Sequence, residues 1–215
     1  MIAYCSWTGT KLNLSTLQAG GWHLLMSPDT LTRCKGKTRP FWPDDSPAPY
    51  ALDNGAWGAH QRGEPFNIEA FLWSIDRVGE QAEFVVVPDI VAGGLESLRF
   101  SEEWMPRLDG IGDRRLLAVQ DGMTPADVRS LLGDDIGIFL GGSTDWKLST
   151  MRQWGQVARE IGCWFHVGRV NSRRRIYQCS LCGAHSFDGS KGARNAVNIE
   201  HLTNSRNQLT LLEIL

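Results

Sequence analysis

Short apolar runs that stop at a small or polar residue recur along this chain. They are Ile2-Ala3-Tyr4-Cys5, Trp22-His23-Leu24-Leu25-Met26, Tyr50-Ala51-Leu52, Phe84 to Val87, Leu116-Leu117-Ala118-Val119, Ile136-Gly137-Ile138-Phe139-Leu140 and Trp164-Phe165-His166-Val167. Ala184-His185-Ser186-Phe187 is a weaker eighth. Runs this short, with little polar–apolar alternation, suit strands buried on both faces, as in a parallel sheet.

The segments between them read as helices. Phe66 to Val78 sets Ile68, Phe71, Leu72 and Ile75 at i, i+3, i+4 and i+7, which predicts one buried face. Leu95 to Leu108 follows the same pattern, and Thr124-Pro125-Ala126-Asp127 reads as an N-cap followed by proline at the first helical position. Ser143 to Ile161 carries Leu148, Met151, Trp154, Val157 and Ile161 at helical spacing. Strand–helix alternation repeated eight times predicts an α/β fold, a compact (β/α)8 TIM-type barrel forming a single domain over residues 1–215. An open doubly wound sheet is the structural alternative. Pro28 to Pro49 breaks the pattern: it has no periodicity and holds five of the nine prolines. It reads as a long loop, either a solvated excursion or a substrate-contacting one.

Composition supports a folded domain. Of 215 residues, 42% are hydrophobic and 21% charged, which excludes disorder and low complexity. No apolar run approaches the roughly 20 residues that span a bilayer, so no membrane partner is expected. No basic stretch leads into an apolar segment at the start, so a secretory signal is not expected. Five cysteines, an odd and low number, predict reduced thiols and a cytoplasmic location. The net charge of −2 conceals two basic segments. Arg33, Lys35, Lys37 and Arg39 lie in the proline-rich loop. Arg169, Arg173, Arg174, Arg175, Lys191 and Arg194 give residues 169–194 a local charge of +5 against Asp188 alone. Cations near a helix start oppose the helix dipole, which favours a phosphate-binding role over a merely solvated face.

In a βα-barrel, chemistry sits where strands end and βα loops begin. The residues there are Asp53-Asn54-Gly55-Ala56-Trp57-Gly58, Pro88-Asp89-Ile90, Gln120-Asp121-Gly122, Gly141-Gly142-Ser143, Gly168-Arg169-Val170-Asn171-Ser172 and Asp188-Gly189-Ser190. Any one Asp-Gly is a common turn. Carboxylates, a carboxamide and exposed glycine backbone converging on one rim suggest glycosyl chemistry. One ionised carboxylate attacks or stabilises an oxocarbenium-like carbon while another moves a proton on the leaving group. An amide side chain and glycine N–H groups suit the polar edge of a planar base.

In series, these segments resemble the guanine transglycosylases, which exchange guanine for a 7-deazaguanine base. The resemblance runs from about Ala51 to Ser190 and keeps the family's order of motifs. Asp53-Asn54-Gly55-Ala56 resembles the family's Asp-Ser-Gly-Gly, and Pro88-Asp89 its base-binding aspartate segment. Val119-Gln120-Asp121-Gly122 resembles Val-Gln-Gly-Gly, and Leu140-Gly141-Gly142 the segment whose backbone contacts the base. His166-Val167-Gly168-Arg169 resembles the strand entering the seventh loop, and Phe187-Asp188 the segment with the nucleophilic aspartate. Asn54 stands where the family usually has serine, and Asp121 where it has glycine. Only 27 residues follow Asp188 and none is cysteine, so the zinc site and RNA-binding region of the tRNA enzymes have no counterpart there. The likeness is to the compact branch that modifies DNA, found in phages and bacterial modification clusters.

The resemblance implies Asp188 as nucleophile and Asp53 as general acid and base. Asp89, Gln120, Gly141, Gly142 and Asn54 would bind the base, and Arg169, Arg173, Arg174, Arg175, Lys191, Arg33, Lys35 and Lys37 the DNA. The partners implied are DNA and a free 7-deazaguanine such as 7-cyano-7-deazaguanine, with no cofactor. A target base stacked in a duplex must be flipped out or taken from a single strand, and Trp7, Trp42 and Trp57 are candidates to stack on it. Cys179-x2-Cys182 with His185 is half a zinc site, and structural zinc takes four ligands, so no metal is expected. The alternatives are a tRNA- or nucleoside-directed transglycosylase or N-glycosidase, and a non-catalytic nucleic-acid-binding module on the same fold.

Overall fold

The computed structural model describes residues 1–33, 40–190 and 196–212, the last stretch with side chains to 207. Lys35, Lys37, Arg39, Lys191 and Arg194 lie outside the described residues.

Each of the eight apolar runs carries a strand: β1 Ile2–Ser6, β2 His23–Met26, β3 Tyr50–Leu52, β4 Val85–Val86, β5 Arg115–Val119, β6 Ile136–Leu140, β7 Phe165–Val167 and β8 Ser186–Gly189. All neighbours pair in parallel, and β1 closes on β8 with Tyr4 opposite Asp188, so the sheet is a closed barrel and not an open one. Alternate strand residues face two apolar regions. Tyr4, Leu25, Ala51, Phe84, Val86 and Leu116 fill the interior with Ile2, Phe139 and Trp164. Ala3, Cys5, Leu24, Met26, Leu52, Val85, Leu117 and Val119 point outward into the larger core under the helices. Burial on both sides is why the strands read as unbroken apolar runs, and side chains filling the interior make it a core and not a pore.

The helices are α1 Lys11–Ala19, α2 Pro28–Leu31, α3 Ala56–Arg62, α4 Ile68–Val78, α5 Leu95–Trp104, α6 Pro125–Val128, α7 Thr144–Ile161, α8 Arg173–Leu181 and α9 Ala196–Leu212. Their starts match the sequence signals. Thr124 and Asp127 form a capping box at α6 with Pro125 in the first turn, and Ser143 caps α7 by accepting the Trp146 N–H.

Two helix faces differ from expectation. On α4 the buried stripe is Phe71, Ser74 and Val78, while Ile68 and Leu72 are 45% and 47% exposed. The rings of Phe66, Phe71, Phe100 and Trp104 pack edge-to-face or tilted, which sets the helix rotation. Ser74 enters the buried stripe because its hydroxyl donates to the Ala70 carbonyl at 2.7 Å. On α7 the buried stripe holds Lys147, Met151, Trp154, Val157 and Ala158, and Leu148 is turned outward.

The proline-rich segment is more structured than its composition suggests. It opens on α2, capped by Ser27 and Thr30, and residues 41–47 form a tight turn closed by a Phe41–Pro47 bridge. Trp42 and Ala48 are buried in the outer core. No helix among the described residues is long and apolar enough to cross a membrane.

Candidate active site

Parallel strands deliver their C-terminal ends to one rim, and that rim gathers the aspartates. Asp53 follows β3, Asp89 follows β4 by three residues, and Asp188 lies within β8. Asp53 accepts the backbone N–H groups of Asn54 and Gly55, yet burial raises its carboxyl to about 7, helped by repulsion from Asp188 and Asp89. Burial also raises Asp89 to about 6, opposed by its hydrogen bond from Asn54. Asp53 therefore feels both of the other carboxyls.

Asp188 is 7% exposed and is held differently. Its Oδ1 pairs with Nε2 of His166 at 3.1 Å and accepts the Arg169 backbone N–H at 3.3 Å. Gly168 makes room for that geometry, since a Cβ there would stand 2.8 Å from the Phe139 ring and 3.4 Å from Oδ1. His166 is fully buried on β7, stacked on Phe139 with ring centroids 4.8 Å apart, and its Nδ1 lies 2.8 Å from Ser186 Oγ. Burial holds the His166 imidazole below its ordinary pKa, against the pull of Asp188. Asp, His and Ser in one chain suggest a hydrolase triad, but Ser186, the register partner of His166, is fully buried in the barrel and has no exposed surface from which to meet a substrate.

Lys147 is the second group that sequence reasoning missed. It is 5% exposed, donates from Nζ to the Gly168 carbonyl, and is pushed down to about 8 by burial and by Arg169. The attraction of Asp188 opposes that shift. A cation is thus fixed behind the β7 end.

The residues expected to bind a base fall into two groups. Asp89 and the Gly141–Gly142 turn lie on the mouth. Asn54 and Gln120 are buried and bonded to protein. Asn54 donates from Nδ2 to the Val87 carbonyl and to Asp89 Oδ1 at 2.9 and 2.8 Å, and its Oδ1 accepts the Ala56 N–H. Gln120 donates from Nε2 to Ser97 Oγ at 2.7 Å and to the Ile90 carbonyl at 3.0 Å. Both amides fix the loop that carries Asp89. Asp121 accepts from the Ser143 backbone N–H and hydroxyl, tying the β5 and β6 loops together. Gly142 has φ 71°, and a Cβ there would meet Asp121 Oδ2 at 2.6 Å, so this turn requires glycine. The Gly141 N–H is bonded to the Val119 carbonyl, and the Gly142 carbonyl accepts the Arg169 guanidinium.

Arg169 reaches across the mouth. Its backbone is left-handed, with φ 59°, and its guanidinium lies 4.3 Å from the Trp57 ring centroid. Trp57 is 41% exposed on the rim, whereas Trp42 is core and Trp7 packs against it. Arg173 and Arg174 are exposed in the first turn of α8, with Arg175 half-buried beside them, and Arg33 is exposed just after α2. Arg169 and Arg173 to Arg175 follow the C-terminal end of β7, while Arg33 follows α2 in the connection from β2 to β3. Beside Asp89, a cleft of about 370 Å³ opens between His60, Pro65, Phe66, Ile68, Ile90 and Phe100. Cys179 and Cys182 are buried at the end of α8, while His185 stacks on Trp164 and accepts the Phe165 N–H at its Nδ1.

The fold and the mouth define a class, a (β/α)8 barrel with three carboxyls and a basic rim at the C-terminal ends of its strands. No protein-family model matches the chain, and no curated protein does. Among solved structures, the wild-type GGGPS from Thermoplasma volcanium is similar with a TM-score of 0.53 at 9% identity, over 96% of this chain and 91% of that one. A tryptophan synthase from M. tuberculosis, in an open form with BRD0059 bound, has a TM-score of 0.48 at 14% identity, over 96% and 90% of the two chains. The first likeness shows the barrel fold and nothing of the chemistry.

Proposed function

We propose that this protein is a base-exchange glycosyltransferase acting on DNA, replacing guanine with a 7-deazaguanine through a covalent aspartyl–deoxyribosyl intermediate. One observation carries the reading: two carboxyls whose protonation is favoured by burial face a third carboxylate held by N–H donors. A carboxyl that burial keeps protonated, beside one held by N–H donors, can divide acid–base work from nucleophilic work. Asp188 attacks C1′ of a flipped deoxyguanosine as the C1′–N9 bond breaks, and Asp53 delivers a proton to the departing guanine. An incoming deazaguanine then loses its N9 proton to Asp53, N9 bonds to C1′, and the C1′–Asp188 bond releases its electron pair to the carboxylate. Two displacements replace one difficult one. Asp89 takes the N–H edge of the base, Trp57 offers a stacking face once Arg169 moves aside, and the rim arginines take flanking phosphates.

The test is direct. Protein incubated with a guanine-containing oligodeoxynucleotide should yield an adduct stable on a denaturing gel and should exchange radiolabelled guanine into the DNA. Asp188→Asn should do neither. A wild-type protein that forms no adduct and exchanges no guanine on DNA overturns the reading. Adduct formation on RNA alone moves the substrate to RNA, and base release without insertion makes the protein a glycosidase.

A further inference from the structure

The chain of contacts behind Asp188 has a direction. The indole Nε1–H of Trp164 can only donate, and it reaches Ser186 Oγ at 2.9 Å. Ser186 Oγ accepts from the indole and still has its own proton to offer Nδ1 of His166, 2.8 Å away. With Nδ1 accepting, the imidazole proton sits on Nε2, facing Asp188 Oδ1 at 3.1 Å. The opposite tautomer would set the Nε2 lone pair against a carboxylate oxygen. An imidazolium would place a charge among the rings of Tyr4, Phe84 and Phe139, whose centroids lie 5.8, 5.1 and 4.8 Å from that of His166. Of the two neutral tautomers, the one protonated on Nε2 gives both ring nitrogens a complementary partner.

We infer that Trp164, Ser186 and His166 form a one-way hydrogen-bond series that loads Oδ1 of Asp188, leaves Oδ2 as the attacking atom and eases breakdown of the covalent ester. The inference rests on the proposed base exchange and extends it to three positioning residues. His166 Nε2–H and the Arg169 backbone N–H both fall on Oδ1. When Oδ2 bonds to C1′, Oδ1 becomes the ester carbonyl oxygen and keeps both donors. In the second displacement the C1′–Oδ2 electron pair returns to the carboxylate, and the negative charge spreads onto an oxygen where N–H groups are already aimed. Fixed donors at a site of developing charge are the arrangement that speeds such a step. The same donors stabilise the free carboxylate, so they favour ester breakdown more than ester formation.

The decisive variant is His166→Phe, which keeps a ring against Phe139 and removes both nitrogens. With adduct preformed on an oligodeoxynucleotide and chased with free guanine, the variant's adduct should decay about 100-fold more slowly than wild type. Its formation should change much less, so adduct accumulates during turnover. His166→Gln, which retains an N–H donor, should recover part of the decay rate, and Ser186→Ala should slow decay by a smaller factor. Formation and decay falling together, or decay at the wild-type rate, overturns the inference. A second arm needs no activity: long-range proton–nitrogen NMR of the full chain, with His166 assigned through the Phe variant, should find a proton on Nε2 and none on Nδ1. Ser186→Ala should release that restriction. A proton on Nδ1, or on both nitrogens, overturns the series. A wild-type protein that forms no adduct overturns base exchange and the ester role with it, while the NMR result separately decides the one-way series.

Discussion

The two walls of the mouth hold the same functional group by opposite means. On the β3–β4 wall, burial raises Asp53 and Asp89 to about 7 and about 6, with repulsion from the neighbouring carboxyls adding to the shift at Asp53. On the β7–β8 wall, Asp188 receives an imidazole Nε2 and a backbone N–H, with the Lys147 ammonium behind. One wall favours protonated carboxyls and the other fixes a carboxyl in one orientation. Under the proposed exchange, one residue type takes two roles because its surroundings differ.

Breaking the first wall should have the largest effect. Asp53→Asn keeps the shape and removes the proton carrier, so exchange should fall by about 1,000-fold, within the usual range for losing a general acid–base group. The same substitution should make the protein more stable at pH 8. A carboxyl whose folded pKa is raised favours folding most below its unfolded value, near 3.8, and that contribution is lost as pH rises to about 7. Asp53→Asn removes the cost of burying the charge, a gain on the order of 2 kcal/mol at pH 8 that shrinks towards pH 4. Thermal melts of both proteins across that range check it. A variant equally or less stable than wild type at pH 8 would show that Asp53 is not forced towards its neutral form.

How far each wall was legible in the sequence follows the same division. The barrel was readable because strands buried on both faces leave continuous apolar runs. The aspartates were readable because they follow those runs, where polar residues stand out. His166 and Ser186 were not, because they lie within the apolar runs Trp164–Val167 and Ala184–Phe187 and were absorbed into the core. Period two held the missing signal. Trp164 and His166 share the inward face of one strand, Ser186 and Asp188 that of the next, and His166 pairs with Ser186 in the register. Lys147 was hidden by a one-residue slip, since Leu148 fits the apolar stripe better yet faces out. Asn54 and Gln120 were found, but their bonds to the Asp89 loop were not, because a carboxamide's partners cannot be read from its position.

Breaking the second wall more gently should have an intermediate effect. Lys147→Met preserves length and apolar fit but leaves the Gly168 carbonyl without its side-chain donor and removes the cation near Asp188. An unpaired buried acceptor costs about 1–3 kcal/mol, which denaturant unfolding would register. Exchange should drop by about 10-fold, the scale of roughly 1.4 kcal/mol in a barrier. Unchanged turnover in a destabilised variant would assign Lys147 to the fold alone. Asn54→Ala makes the matching disturbance on the first wall. Losing the amide that opposes burial should raise Asp89 above about 6, shifting the acid limb of the KM profile for the incoming base to higher pH with little change in kcat.

The smallest effect should come from the rim. Arg174 is exposed in the first turn of α8, where the helix dipole disfavours it, so little stability should depend on it. If the rim binds phosphates, Arg174→Ala should weaken binding of any oligodeoxynucleotide by a few-fold, irrespective of sequence. It should also lower the slope of log affinity against log salt by about one contact. The adduct's decay on a guanine chase should stay at the wild-type rate, because that step is the breakdown of the ester at Asp188 and Arg174 is not among the donors to Asp188. A variant that alters decay without altering the salt slope would place Arg174 in the chemistry, and would blur the division between the walls that hold the carboxyls and the rim that holds the strand.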